Sequence, residues 1–261
     1  MIMSVALVTG ATSGIGAEFA RQLAARGDDL VLVARDVDRL ESMAAELRAL
    51  GRDVEVLPAD LADRAEVDRV AARLEDAARP IDVLVNNAGF SVGTSLLARD
   101  VTKIDLAYEV MMRTVLVLAG AAARAMVPRG TGAIINVSST AGYITMGAYS
   151  ATKAWVTSYT EGLANELRGT GVRVTALCPG WVHTEFHTRG GITESSIPGA
   201  MWLEVTPVVR SALAASDRGR VISIPSARYA VLIWLARHVP RSTIRWVSRK
   251  FSRSRHGEVS L

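Results

Sequence analysis

Tyr149 and Lys153 lie four residues apart in the sequence, a spacing that places both side chains on one face of a helix. A free phenol titrates near about 10, and a lysine cation beside it stabilises the phenolate and lowers that pKa. Such a tyrosine can exchange a proton with a substrate oxygen near neutral pH. Ser139, which we favour over the adjacent Ser138, is placed to hydrogen-bond the same oxygen. These residues predict acid–base chemistry on a carbonyl or an alcohol.

A glycine-rich turn follows the first predicted strand and leads directly into a predicted helix. Glycines permit a tight turn and close backbone approach, and the N-terminus of a helix offers N–H groups to a pyrophosphate. The turn therefore predicts a dinucleotide site. Its candidate contacts are Gly10, Thr12, Ser13, Gly14, Ile15 and Gly16.

Two further strand ends supply candidate contacts for the same dinucleotide. Asn87, Ala88 and Gly89 follow the fourth predicted strand, where small residues leave room for adenosine and ribose. Asp60 and Leu61 follow the third strand, and the carboxylate is a candidate partner for the adenine amine. Since the carboxyl ends of parallel strands meet at one edge of a sheet, these residues are expected to lie together.

The end of the second predicted strand bears on the choice between the two nicotinamide cofactors. Arg35 lies where a positive charge favours the 2′-phosphate of NADP(H), whereas an acid there favours the ribose hydroxyl of NAD(H). We expect NADP(H), and the neighbouring Asp36 keeps NAD(H) open as the alternative.

Short apolar runs alternate with longer amphipathic stretches along the 261 residues. Strands are predicted at Val5–Thr9, Leu30–Ala34, Val54–Pro58, Val83–Asn86, Ala133–Ser138, Val172–Cys178 and Val221–Ile224. Helices are predicted at Ile15–Arg26, Asp38–Leu50, Arg64–Arg79, Val101–Val127, Ala148–Arg168 and Pro207–Ser216. This alternation predicts an α/β fold with a doubly wound, largely parallel sheet in a single domain.

Over about residues 4–225 the sequence resembles the short-chain dehydrogenase/reductase family. The motifs that carry the resemblance are Thr9–Gly16, Asn86–Gly89, the Ser138–Ser139 pair, the Tyr149–Lys153 pair and Pro179–Thr184. The family implies a Rossmann fold whose seven-stranded sheet has the order 3-2-1-4-5-6-7. It also implies a homodimer or homotetramer built through the two long helices.

The same resemblance implies roles for the residues that match its motifs. Tyr149 would be the general acid/base, and Lys153 would bind the nicotinamide ribose. The segment containing Pro179 and Gly180 would border the nicotinamide, with the backbone near Val182 and the hydroxyl of Thr184 holding the carboxamide. The implied activity is the interconversion of a ketone or aldehyde and an alcohol by hydride transfer, for which Arg35 favours NADP(H) as the cofactor.

The region between residues 185 and 205 departs from the regular alternation of strands and helices. Its mixture of glycine, proline and large apolar residues predicts a substrate lid, and those apolar residues favour a hydrophobic carbonyl substrate. We therefore expect residues 1–225 to form the dehydrogenase domain including this lid. Residues 226–261 would add an apolar helix and a basic tail to the same domain.

Met111 departs from the family pattern, because members usually carry an asparagine at this point of the long fourth helix. A thioether cannot donate a hydrogen bond and accepts one only weakly. We expect an altered proton relay with reduced or pH-shifted activity. The alternative is a cofactor-binding protein whose turnover is weak or lost.

The C-terminal region has two interpretations. An apolar run at 229–236 precedes a basic cluster with no acidic residue between 237 and 255. It is either a packing helix with a solvated basic end, or a peripheral membrane contact over 228–255 that binds anionic lipid. The basic charge belongs to this tail, so no nucleic-acid partner is expected, and the four histidines lack the spacing of a metal site. The N-terminus lacks the pattern of a secretory signal, which favours a cytoplasmic protein.

Overall fold

The computed structural model describes residues 4–184 and 198–253, in which nine strands occur. They are β1 (Val5–Thr9), β2 (Asp29–Ala34), β3 (Val54–Pro58), β4 (Val83–Asn86), β5 (Gly132–Val137), β6 (Val172–Leu177), β7 (Trp181–Val182), β8 (Trp202–Leu203) and β9 (Ile222–Ser223). Seven of them form one parallel sheet in the order β3-β2-β1-β4-β5-β6-β9. Because β9 is the seventh strand of this sheet, the predicted order is confirmed. β7 and β8 pair separately, and the sequence did not predict them.

The α-helices cover both faces of the sheet. They are α1 (Gly14–Arg26), α2 (Val37–Arg48), α3 (Arg64–Glu75), α4 (Thr102–Tyr108), α5 (Thr114–Met126), α6 (Gly147–Glu166), α7 (Val205–Asp217), α8 (Ala227–His238) and α9 (Arg241–Arg253). One buried cluster joins the sheet to α1, α2 and α7, and a second joins it to α3, α5 and α6. Successive strand residues such as Leu7 and Val8 enter opposite clusters, as expected for strands covered on both sides.

The fourth predicted helix is interrupted. Where the sequence predicts one helix over Val101–Val127, a π-helical segment at Glu109–Arg113 separates α4 from α5. Single π-helical turns inside longer helices are rare and often occur at functional sites. The whole stretch Thr102–Arg129 is long and apolar enough to cross a membrane, but half of its most apolar window is buried in this protein. Packed against α3, it is a core helix of the α/β fold.

Two helices follow the last strand of the sheet. α8 buries Tyr229 and Ile233 against the protein and exposes four apolar side chains: Val231, Leu232, Trp234 and Leu235. α9 continues the chain to Arg253, so the predicted basic tail is helical up to that residue. Ile244 is buried, whereas Trp246 is 64% exposed.

The parallel strands bring the predicted site residues to one edge of the sheet. The glycine-rich turn follows β1, and the Asn87–Gly89 loop follows β4. Ser139 lies just beyond β5, and Pro179 lies just beyond β6. Because β1 and β4 are neighbours, as are β5 and β6, residues far apart in sequence meet at this edge.

Candidate active site

Tyr149 and Lys153 lie in the first two turns of α6, on the side that faces the carboxyl edge of β5. Lys153 is buried, and its Nζ donates a hydrogen bond to the carbonyl oxygen of Val137 at 2.8 Å. The same nitrogen lies 5.8 Å from the centre of the Tyr149 ring. Burial lowers the pKa of Lys153 to about 8, because water no longer stabilises the ammonium group.

The phenol of Tyr149 is hydrogen-bonded to Ser139. In contrast to the lowered pKa expected from the sequence, burial raises the pKa of Tyr149 to about 12, and the hydrogen bond with Ser139 only partly opposes that rise. With no cofactor present, the phenol is therefore protonated at neutral pH and has a proton to donate. The residues predicted from the sequence as the catalytic group thus meet in space.

The two neighbouring serines have different surroundings. Ser138 Oγ is buried and lies 2.7 Å from both the carbonyl oxygen of Lys153 and Thr157 Oγ1. Ser139 begins a short 3₁₀ helix and accepts a hydrogen bond from the backbone N–H of Ala141 at 3.1 Å. Ser138 therefore fastens α6 to the end of β5, and Ser139 is the serine beside the phenol.

The glycine-rich turn has backbone conformations that side chains would strain. Gly10 and Gly14 have φ values of 65° and 54°, in the left-handed region. A Cβ on Gly16 would lie 2.2 Å from the carbonyl oxygen of Gly10, so only glycine fits there. A Cβ on Gly14 would lie 3.1 Å from Cβ of Thr184, which places that predicted carboxamide contact against the turn. Open backbone at the N-terminus of α1 fits a dinucleotide pyrophosphate.

The loop after β4 is tied to this turn by hydrogen bonds. Asn87 Nδ2 donates to the carbonyl oxygens of Thr9 at 3.0 Å and Gly10 at 3.3 Å. The backbone N–H groups of Asn87 and Ala88 both donate to Thr9 Oγ1, at 2.9 and 3.1 Å. The Asn87 side chain braces the glycine-rich turn, a structural role that the sequence did not suggest.

The amino-acid sequence matches one known protein family over most of its length. The family model described as short chain dehydrogenase matches residues 4–194. This chain belongs to the short-chain dehydrogenase family. It is accordingly an NAD(P)-dependent oxidoreductase that acts on CH–OH groups.

Several proteins and solved structures are similar to this short-chain dehydrogenase. A proposed ketoacyl reductase of the granaticin polyketide synthase of Streptomyces violaceoruber is 40% identical over 194 residues, covering 71% of this chain and 70% of that protein. A short-chain dehydrogenase from Sphingobium yanoikuyae, solved with NADPH, is 36% identical with a TM-score of 0.83 over 99% of this chain and 98% of the other. A bulky-bulky ketone specific alcohol dehydrogenase from Comamonas testosteroni is 29% identical with a TM-score of 0.79, covering 99% and 98%.

Met111 lies in the π-helical segment of this short-chain dehydrogenase and is 1% exposed. Its side chain packs on the loop after β4, where a Cβ on Gly89 would lie 2.9 Å from its sulfur atom. The structure therefore places a thioether in a closed position beside the Asn87–Gly89 loop. A larger residue at position 89 would require the flexible side chain of Met111 to shift.

The residues after β2 and β3 differ in their exposure to solvent. Arg35 is exposed beyond the end of β2. The carboxylate of Asp36 begins α2, where it accepts a hydrogen bond from the backbone N–H of Arg39 at 3.1 Å. Asp60 holds the turn after β3 with its carboxylate, and Leu61 is buried in the core. The competing acid beside Arg35 is thus already occupied as a helix cap.

The segment after β6 is held by a residue that sequence reasoning missed. The ring of Tyr229, from α8, covers Gly180 so closely that a Cβ there would lie 1.9 Å from the ring. Its phenol oxygen accepts a hydrogen bond from the N–H of Trp181 at 3.1 Å and donates one to the carbonyl of Met201 at 2.7 Å. No local sequence motif around Tyr229 predicts this contact, because it depends on how α8 packs against the rest of the protein. Val182 is buried within the same segment.

Only the last part of the predicted lid is described. Residues 185–197 lie outside the described part of the chain, and the structure resumes at Pro198. Trp202 is buried, and its ring stacks on His183 with 4.6 Å between the centres. The ring of Trp181 also contacts that of Trp202, with 5.9 Å between the ring centres and the two planes tilted. An aromatic group therefore forms around β7 and β8, next to the segment held by Tyr229.

Proposed function

We propose that this short-chain dehydrogenase uses NADP(H) to interconvert a hydrophobic ketone or aldehyde and the corresponding alcohol. The observation that carries the proposal is the geometry of the phenol of Tyr149, which is hydrogen-bonded to Ser139 and whose ring centre lies 5.8 Å from Nζ of the buried Lys153. This group lies at the sheet edge that also carries the glycine-rich turn. Such an arrangement supports proton transfer to a substrate oxygen placed against a dinucleotide.

The chain's own residues account for the proton in both directions. In reduction, the Ser139 hydroxyl donates a hydrogen bond to the substrate carbonyl oxygen and holds it near Tyr149. The phenol then gives its proton to that oxygen, and the Lys153 cation stabilises the phenolate that remains. In oxidation the phenolate accepts the proton of the substrate hydroxyl. The bound nicotinamide supplies or accepts the hydride.

The cofactor assignments follow the same edge of the sheet. The glycine-rich turn and the N-terminus of α1 would hold the pyrophosphate. The exposed guanidinium of Arg35 would bind the 2′-phosphate, because Asp36 is engaged in capping α2. The Asn87–Gly89 loop and the Asp60 turn would receive the adenosine. Val182 and Thr184, which lies against Gly14, would contact the carboxamide.

Calorimetry of NADPH and NADH binding to the wild type and to Arg35→Ala tests the cofactor assignment. We expect the wild type to bind NADPH at least tenfold more tightly, as for one charge-assisted contact worth about 1.5–3 kcal/mol. Arg35→Ala should lose this preference, while Arg218→Ala, which removes an exposed arginine beyond the end of α7, should keep it. Equal binding of both cofactors by the wild type would contradict the NADP(H) assignment.

A second experiment tests the acid–base role of Tyr149. The Tyr149→Phe variant keeps the ring and loses the proton, so we expect kcat for ketone reduction to fall by about 10²–10⁴-fold. The dissociation constant of NADPH should change little. Hydrophobic ketones are the first substrates to screen, because the aromatic group around Trp202 lies beside the site. Undiminished turnover by Tyr149→Phe would refute the mechanism.

The outer face of α8 supports a further part of the proposal, peripheral contact with an anionic lipid surface. Trp234 is 59% exposed and lies beside other exposed apolar side chains, and Trp246 of α9 is also exposed. No acidic residue occurs between Asp217 and Glu258, whereas arginines are frequent there. An apolar face set among cations fits a membrane interface. The inner face of α8 packs on the protein, as the packing interpretation expects, and only its outer face is available for lipid.

Vesicle sedimentation tests the lipid contact. We expect the protein to pellet with vesicles containing phosphatidylglycerol and to stay in solution with phosphatidylcholine alone. The double variant Trp234→Ser/Leu235→Ser should lose this binding while retaining NADPH binding. Leu50→Ser, which alters an exposed leucine after α2, is the matched control. Equal sedimentation of the wild type and the double variant would rule out this surface.

A further inference from the structure

Tyr229 connects three segments that the sequence keeps apart. It lies in the first turn of α8 and is 5% exposed. Its ring fills the space in front of Gly180, where any side chain would collide with it. The hydroxyl group lies between the first residue of β7 and Met201, the residue immediately before β8. One side chain therefore fixes the beginnings of both strands.

The backbone that Tyr229 holds is the one assigned above to the nicotinamide end of the cofactor. From Gly180 the chain passes through β7 to Thr184, which lies against Gly14. β7 is only two residues long and pairs with an equally short β8. Two such short strands cannot define their own position through backbone hydrogen bonds alone, so contacts from outside have a large influence on where they lie.

We propose that Tyr229 is a positioning residue that sets the Gly180–Thr184 backbone for binding of the nicotinamide end of NADP(H). This inference rests on the proposed function, because it takes Val182 and Thr184 as the carboxamide contacts. Tyr229 acts through the backbone and touches neither substrate nor cofactor. The C-terminal helix α8 is consequently part of the cofactor site, although it lies beyond the residues that the family model matches.

The test compares two ligands that differ at one end. NADPH carries the nicotinamide, whereas 2′-phospho-ADP-ribose keeps the adenosine, pyrophosphate and 2′-phosphate and lacks it. The Tyr229→Phe variant keeps the ring against Gly180 and removes only the hydroxyl. We expect its dissociation constant for NADPH to rise by about tenfold, because the two hydrogen bonds that hold the starts of β7 and β8 are lost. Its dissociation constant for 2′-phospho-ADP-ribose should stay within about twofold.

Two further variants make the result specific. Gly180→Ala forces the ring away from the segment and should weaken NADPH binding in the same selective way. Tyr108→Phe removes the hydroxyl of an exposed tyrosine at the end of α4 and should change neither ligand. Steady-state kinetics should show the loss in KM for NADPH more than in kcat, since the acid–base group is untouched.

The outcomes separate this inference from the proposed function. Equal weakening of both ligands in Tyr229→Phe would mean a general structural role and would overturn the inference. Unchanged binding of both ligands would overturn it as well. If the wild type binds 2′-phospho-ADP-ribose as tightly as NADPH, the assigned carboxamide contacts add no affinity and the inference is overturned, whereas the proposed function is decided separately by the kinetics of Tyr149→Phe.

Discussion

The ammonium group of Lys153 is buried, and this environment destabilises its positive charge. Burial lowers its pKa from 10.5 to about 8, so the folded protein binds this proton less tightly than the unfolded chain. Between those two pH values the unfolded chain carries more protons at this residue. The contribution of Lys153 to the free energy of unfolding therefore rises as the pH rises through this window. A group kept at such a cost is typical of a functional site.

Replacing Lys153 should reveal how much free energy is needed to bury its ammonium group. At pH 7 we expect Lys153→Met to raise the free energy of unfolding of the cofactor-free protein by about 2 kcal/mol, because an apolar side chain replaces a desolvated cation. The gain should shrink as the pH rises from 8 to 10, since the wild type recovers stability there. Urea unfolding at several pH values measures this difference. Lys103→Met, at an exposed lysine of α4, should show no such trend, and a pH-independent gain in Lys153→Met would contradict the argument.

Met111 is the second residue whose chemistry invites a direct test. Its buried thioether cannot donate the hydrogen bond that the usual asparagine of the family provides. We expect Met111→Asn to raise kcat several-fold and to shift the pH–rate profile of alcohol oxidation, because a polar path to Lys153 is restored. An unchanged profile would show that the relay does not depend on this position. If the wild type binds NADPH without turnover and the variant gains activity, the binding-protein alternative is supported.

Among the elements, β4, β5 and α6 are joined by a buried chain of polar side chains. Asn86 Nδ2 donates to Asn136 Oδ1 at 2.9 Å, and Asn136 Nδ2 donates to Thr160 Oγ1 at 3.0 Å. All three residues are buried. Because α6 carries Tyr149 and Lys153, this chain helps to hold these two candidate site residues at the sheet edge. Buried amides of this kind are costly once a partner is removed.

Breaking the chain at its middle should therefore destabilise the fold. We expect Asn136→Ala to lower the free energy of unfolding by about 2–4 kcal/mol, since it leaves the buried amide of Asn86 without its acceptor. Denaturant unfolding monitored by circular dichroism gives the value. Asn165→Ala, at an exposed position of α6, should change stability by less than about 0.5 kcal/mol. A similar small loss in Asn136→Ala would mean that the chain contributes little.

On the scale of the whole molecule, the outer faces of α5 and α6 form a groove of about 530 Å³. Gly120 and Gly162 line it together with Leu116, which is 48% exposed, and Tyr159. The rings of Trp155 and Tyr159 stack with 5.0 Å between their centres on this side of α6. Small residues beside apolar ones suit the close approach of another helix pair, and we propose that this face joins the subunits of the expected homodimer or homotetramer.

A charge placed in this groove should separate the subunits. We expect Leu116→Arg to lower the mass of the homodimer or homotetramer, because the longer side chain would bring a charge and extra volume into a closely packed interface. Analytical ultracentrifugation at micromolar concentration measures the change. Leu50→Arg, at an exposed leucine outside the groove, should keep the mass of the wild type. An oligomer that survives Leu116→Arg would place the interface elsewhere.

Much of this architecture could be predicted from spacing along the chain. The alternation of strands and helices indicated the doubly wound sheet, and the family motifs gave its order. The four-residue interval between Tyr149 and Lys153 and the Gly10–Gly16 turn indicated residues that the structure brings to one edge of the sheet. These signals are readable because helix faces, tight turns and buried strands are governed by interactions between residues a few positions apart.

The contacts that depended on packing could not be predicted in this way. The hydrogen bond between Trp181 and Tyr229 joins residues 48 positions apart, and neither residue lies in a motif that requires the other. The π-helical turn at Glu109–Arg113 and the capping role of Asp36 likewise became visible only in the folded chain. The different surroundings of the two serines also became visible only in the folded chain: Ser138 Oγ bonds to the backbone of α6, whereas Ser139 bonds to the phenol of Tyr149. Such contacts arise when helices dock on the sheet, and their geometry reflects side chains from the whole molecule.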